Sequence, residues 1–83
     1  MPLSKPQQNR LKDLGARVKE IRSEKGLTLK ELAHAIGKDP QSIHRLEAGK
    51  INPSYIYLLE VCKGLGIEIT ELLNNNHPTN TVK

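Results

Sequence analysis

Apolar residues recur at helical rather than strand spacing along most of this chain. Leu11, Leu14, Val18 and Ile21 are separated by 3, 4 and 3 positions, which is one stripe of a helix. Lys12, Arg17, Lys19, Glu20 and Glu24 take the other faces, and Gly26, just past Lys25, supplies a C-terminal stop. Thr28-Leu29-Lys30-Glu31 then has the form of a capping box, followed by the apolar set Leu29, Leu32, Ala33 and Ile36 and closed by Gly37. Asp39-Pro40 restarts the chain, since aspartate is a good N-cap and proline suits the first helical position. Ile43 and Leu46 are the large apolar residues of this third helix, and Gly49 ends it.

Asn52-Pro53-Ser54 makes another turn and cap. The pattern predicts a fourth helix from about Tyr55 to Gly64, burying most of Tyr55, Leu58, Val61, Cys62 and Leu65. A short fifth, from about Glu68 to Asn74, adds Ile67, Leu72 and Leu73. No segment alternates as a strand does. The expected fold is all-α, five helices in a compact domain over residues 11–74. Residues 1–10 hold two prolines and little apolar content, so they read as a flexible, mildly basic arm. Residues 75–83 are polar and aperiodic and read as a disordered tail.

The second and third patterns carry the functional signal. Ala33 stands where the next helix would cross, Gly37 gives the turn, and Ile43 and Leu46 plug the inner face. Each has an ordinary packing role, but their joint spacing reads as a helix-turn-helix, with the third helix left protruding. That helix also carries a polar outer face, Gln41, Ser42, His44 and Arg45, which a core does not require.

Length and composition narrow the classes. Eighty-three residues make one small domain, with no room for a cleft between two lobes. Two Tyr and no Phe or Trp leave the core to Leu, Ile, Val and Ala. No apolar run approaches membrane-span length, and the N-terminal MPLSKPQQNR lacks a signal peptide's apolar middle. A single cysteine, Cys62, forms no intramolecular disulfide and fits a reducing cytoplasm. The net charge of +4 is unevenly placed: residues 1–50 carry eleven Lys and Arg against six Asp and Glu, residues 51–83 two against three. The basic half thus contains the helix-turn-helix, the asymmetry of a surface that meets a polyanion.

Cys62, His34, His44 and His77 lack the convergent spacing of zinc ligands, and Cys62 lies on the inward stripe of the fourth helix. No metal, cofactor or enzymatic constellation is expected. Ile56 and Ile69 fall off the inward stripes, with Tyr57 beside Ile56. They read either as scattered exposed apolar residues or as a two-fold dimer contact.

The segments GARVKEIRSEKGLTLKELAHAIG, KDPQSIHRLEAGK and NPSYIYLLEVCKGLGIEITELL, with their LE-x-GK and LGI-xxx-ELL endings, resemble the phage-repressor-like (XRE, Cro/repressor-type) helix-turn-helix family from about Leu14 to Leu73. The resemblance implies a lambda-repressor-like DNA-binding domain, with the helix-turn-helix in helices two and three, that regulates transcription as a dimer. It implies base-edge contacts from Gln41 and Arg45, a base-edge or phosphate contact from Ser42, and His44 beside them meeting phosphate or sugar. Gln41 suits adenine N6 and N7, and Arg45 guanine O6 and N7. Pro40 departs from the family pattern, where a polar residue is common, and offers only apolar contact, as with a thymine methyl. Phosphate contacts are expected from the amides near Thr28, Leu29 and Lys30 at a helix N-terminus, and from Lys30, Lys38, Lys50 and Asn52. Arg22 and Glu47 match a family salt bridge between the first and third helices.

The resulting expectation is a cytoplasmic regulator acting as a homodimer on an inverted repeat in double-stranded DNA. Repressor, restriction–modification controller and toxin-binding antitoxin all stay open within that class. A protein-interaction module that keeps the fold without reading DNA is the reading from another class.

Overall fold

The computed structural model describes residues 2–74. Five helices follow in chain order: α1 (Lys5–Glu24), α2 (Leu29–Ala35), α3 (Pro40–Glu47), α4 (Tyr55–Leu65) and α5 (Ile69–Leu73). There is no strand among the described residues. The expected disordered tail, residues 75–83, lies outside them.

The core is one cluster to which every helix contributes: Val18 and Ile21, Leu32 and Ala33, Ile43 and Leu46, Leu58, Val61, Cys62 and Leu65, and Leu72. These are the inward positions of the helical stripes, and no polar or charged residue is buried among them. Burying each of the larger side chains contributes about 1.5–3 kcal/mol, so a core without a single Phe or Trp still holds the bundle.

Three expectations need correction. The first ten residues are not an arm throughout, because α1 starts at Lys5. The Ser4 hydroxyl accepts from Gln7 N at 3.2 Å, and the Gln7 side-chain oxygen accepts from Ser4 N at 2.9 Å. Pro6 falls in the first turn, where no N–H is needed, so the proline that suggested a breaker helps to begin a helix. Tyr55 is 62% exposed rather than buried, because Ser54 caps α4 and leaves Tyr55 at the helix's first position. Leu73 is 55% exposed, since in a helix of five residues Leu72 takes the inward direction.

α4 also runs past Gly64 to Leu65, with Gly66 as its left-handed cap. Gly64 is a packing glycine instead: a Cβ there would stand 2.5 Å from Ile36 Cγ2 and 2.8 Å from Leu32 Cδ1. Its bareness lets α2 lie close against α4.

Candidate nucleic-acid interface

α2 and α3 are joined by a turn whose geometry follows from Gly37. That residue has φ +68°, a conformation costly for residues with a Cβ. With Gly37 so placed, Lys38 N reaches Ala33 O at 2.8 Å and Gly37 N reaches His34 O at 3.3 Å. This double closure satisfies the last carbonyls of α2. Asp39 then starts α3, its carboxylate accepting from Gln41 N at 3.1 Å.

Within this unit Ala33, Ile43 and Leu46 are fully or almost fully buried. Pro40, Gln41, His44 and Arg45 are exposed on the outside of α3. Among the described residues, the side chains of Gln41, His44 and Arg45 have no hydrogen-bond or ion-pair partner. The helix is thus fixed from within and presents a donor-rich outer face.

Arg22 and Glu47 fix it from α1. The guanidinium donates Nε to Glu47 Oε2 at 2.6 Å and Nη2 to Oε1 at 3.0 Å, a fork on both carboxylate oxygens. Its Nη1 donates to Leu27 O at 2.7 Å, so the pair also ties down the loop before α2. The two side chains are only 11% and 5% exposed. The hydrogen bond to Glu47 and its charge raise the Arg22 pKa against the opposing effect of burial.

Ser42 does not join the outer face. It is half-buried, and its hydroxyl contacts Asp39 O at 3.0 Å and Tyr57 Oη at 3.1 Å. A hydroxyl already bonded within the protein has less to offer a base edge. Tyr57, beside Ile56 in sequence, packs half-buried against the core with its hydroxyl on Ser42 of α3. Ile69 also packs half-buried against the core, whereas Ile56 is 62% exposed.

The expected phosphate contacts separate as well. Lys38 is engaged at the surface by α4, its ammonium 3.1 Å from Glu60 and 5.6 Å from the centre of the Tyr57 ring. The Thr28 amide is taken by its own capping box, donating to Glu31 Oε1 at 2.9 Å while Glu31 N donates to the Thr28 hydroxyl at 3.0 Å. That places a carboxylate at the start of α2, which opposes an anion there. Leu29 is half-buried against the core, and Lys30, Lys50 and Asn52 are exposed.

Sequence reasoning missed Gly15. It is buried where α1 crosses the end of α3, and a Cβ there would collide with the backbone carbonyls of Leu46 and Glu47. A glycine inside a helical stripe was the available signal. Cys62 is buried, and burial first, then the charges of Glu68 and Glu71, push its thiol pKa up, the opposite of an activated nucleophile. Among the described residues, no group of three or more His, Cys, Asp and Glu is placed to hold a metal, and no helix is long and apolar enough to cross a membrane.

The helix-turn-helix family model matches residues 18–72, from the middle of α1 to the end of α5. The chain belongs to the helix-turn-helix family. Its resemblance is to the XRE-type regulators within it. An uncharacterised HTH-type transcriptional regulator of Sinorhizobium fredii, y4dJ, is 35% identical over 66 residues, covering 80% of this chain and 86% of that protein. The HTH-type transcriptional regulator SinR of Bacillus subtilis is 34% identical over 67 residues, 80% of this chain and 60% of its own. Among solved structures, the restriction-modification controller protein C.AhdI from Aeromonas hydrophila superposes with a TM-score of 0.76 at 34% identity, covering 78% of this chain and 98% of that one. The clp gene regulator ClgR from C. glutamicum gives 0.76 at 34% identity over 89% of this chain and 87% of its own. The relatives named here are transcriptional regulators rather than enzymes, and the lambda-repressor-like fold is common to this chain and those structures.

Proposed function

We propose that this chain is a cytoplasmic, sequence-specific double-stranded-DNA-binding regulator of transcription, working as a homodimer on an inverted repeat. The observation that carries the reading is α3 itself. Ile43, Leu46 and the Arg22–Glu47 pair hold it from inside, while Gln41, His44 and Arg45 stand exposed along its outer side. Gln41 reads adenine and Arg45 guanine, each through two hydrogen bonds. His44 meets phosphate or sugar, and Pro40 offers an apolar edge to a thymine methyl. Lys30, Lys50 and Asn52 contact phosphates on either side.

Dimer formation is supported by the exposed apolar side chains of α4 and α5, Tyr55, Ile56 and Leu73. Two copies related by a two-fold axis place their α3 helices in successive major grooves, about 34 Å apart. The similarity to a restriction-modification controller supports an autoregulatory role for this chain.

Selection of bound duplexes from a random library at one stated salt concentration tests the reading. Recovery of a palindrome is expected. The double substitution Gln41→Ala with Arg45→Ala should abolish preference for that site while circular dichroism and the unfolding midpoint stay as in the parent. Survival of the preference sinks the assignment of base readers. For the dimer, Ile56→Glu should lower both the sedimentation coefficient and the affinity for the palindrome, and unchanged sedimentation removes that surface.

A further inference from the structure

Tyr57, in the first turn of α4, reaches back to Ser42 on α3. Tyr57 Oη lies 3.1 Å from Ser42 Oγ, and Ser42 Oγ lies 3.0 Å from Asp39 O. A hydroxyl carries one hydrogen and a carbonyl carries none to give. The Ser42 hydrogen therefore goes to Asp39 O, and Tyr57 is the donor to Ser42. The chain of bonds runs in one direction: Tyr57 O–H to Ser42 Oγ, Ser42 O–H to Asp39 O.

Its end point matters. Asp39 is the N-cap of α3, its carbonyl also accepting from Ser42 N at 3.0 Å and its carboxylate from Gln41 N at 3.1 Å. Ile43 N closes onto the same carbonyl at 3.5 Å, and Pro40, at the first helical position, needs no N–H. Ser42 adds to these local ties a side-chain link from the first turn of α3 to another helix. Tyr57 is itself held in place. Ser54 Oγ accepts from Tyr57 N at 3.0 Å, and Lys38 lies over the ring while paired with Glu60 at 3.1 Å.

We propose that the Tyr57 hydroxyl is the positioning group for the first turn of α3, acting through Ser42 to set where Gln41 meets the base edge. It rests on the reading of α3 as the helix that reads DNA, and it assigns a specificity role to a residue that touches no nucleic acid. A misplaced first turn weakens a two-bond contact with a base more than it weakens contact with phosphate, because only the former needs a fixed angle.

Tyr57→Phe tests this in the full chain, because the variant keeps the ring under Lys38 and removes only the donor. The global unfolding midpoint should change little. Amide hydrogen exchange at Ser42 and Ile43 should speed up by about three- to tenfold, the size of one hydrogen bond. The ratio of affinity for the selected duplex to affinity for an unrelated one should fall by about the same factor, with the salt dependence unchanged. Ser42→Ala should do likewise, and Tyr57→Phe should add nothing in the Ser42→Ala background.

Unchanged exchange in Tyr57→Phe overturns the proposal, and so do additive losses in the double variant. An unchanged affinity ratio, where the parent does prefer its site, overturns it equally. A parent chain with no site preference refutes the DNA-reading function instead, and the exchange rates then decide the positioning role alone.

Discussion

Glu47 shows how much one side chain can carry. Its two carboxylate oxygens meet Nε and Nη2 of Arg22 across α1 and α3, with little solvent access to either partner. Glu47→Ala leaves a guanidinium half-desolvated with only Leu27 O for company. The expected loss is about 3–5 kcal/mol in urea unfolding, and replacing both partners by apolar residues of similar size should recover most of it. Equal losses in the single and double replacements would show that the pair is not what Glu47→Ala disturbs.

Cys62 gives a pH dependence of known sign. Burial raises its folded-state pKa above the ordinary value of 9.0, with Glu68 and Glu71 adding to the shift. The unfolded chain therefore loses the thiol proton first. The stabilisation is whole below 9.0 and declines as pH rises above it. The stability difference between the parent and Cys62→Ala should shrink between about pH 8 and about pH 10, as read from urea midpoints. A difference that stays flat rules this titration out.

At the scale of helices, a close crossing depends on a residue with no side chain. Gly15 brings α1 onto the last carbonyls of α3, backbone groups that cannot swing aside. Gly15→Ala gains about 1 kcal/mol in helix propensity but overpacks the crossing against rigid backbone at a cost of about 3 kcal/mol, so a net loss of about 2 kcal/mol is expected. Thermal unfolding measures it, and a stabilised variant would mean that the crossing is looser than the structure has it. The crossing also explains why Arg22 and Glu47 can meet. Helices held apart by a Cβ would lengthen both arms of their fork.

Over the whole molecule, charge divides the domain. The excess of positive residues lies in positions 1–50, the part that includes α2 and α3. If each subunit neutralises about four phosphates, log affinity should fall with log salt at a slope of about −3.6 per subunit. Lys30→Gln and Lys50→Gln should each reduce that slope by about 0.9. Lys38→Gln should leave it unchanged, because that ammonium already pairs with Glu60 over the Tyr57 ring. A slope altered by Lys38→Gln would place it on the DNA after all.

Local chemistry decided the helices and most of their ends. The apolar stripes, the capping boxes, Asp39-Pro40 and the glycine after each of α1 to α3 act over a few residues, so the sequence alone contains them. Even the early start of α1 was written there as Ser4-Lys5-Pro6-Gln7, a capping box hidden by its proline. The outer face of α3 was legible too, because residues three and four apart on a helix share a side whatever surrounds them. What periodicity cannot show is which outward side chains meet another helix. Ser42 and Tyr57 lie fifteen positions apart and Lys38 and Glu60 further, and only the packing of α4 beside the helix-turn-helix brings each pair into contact. Gly15 belongs with them, since an absent side chain has meaning only once the opposing carbonyls are in place.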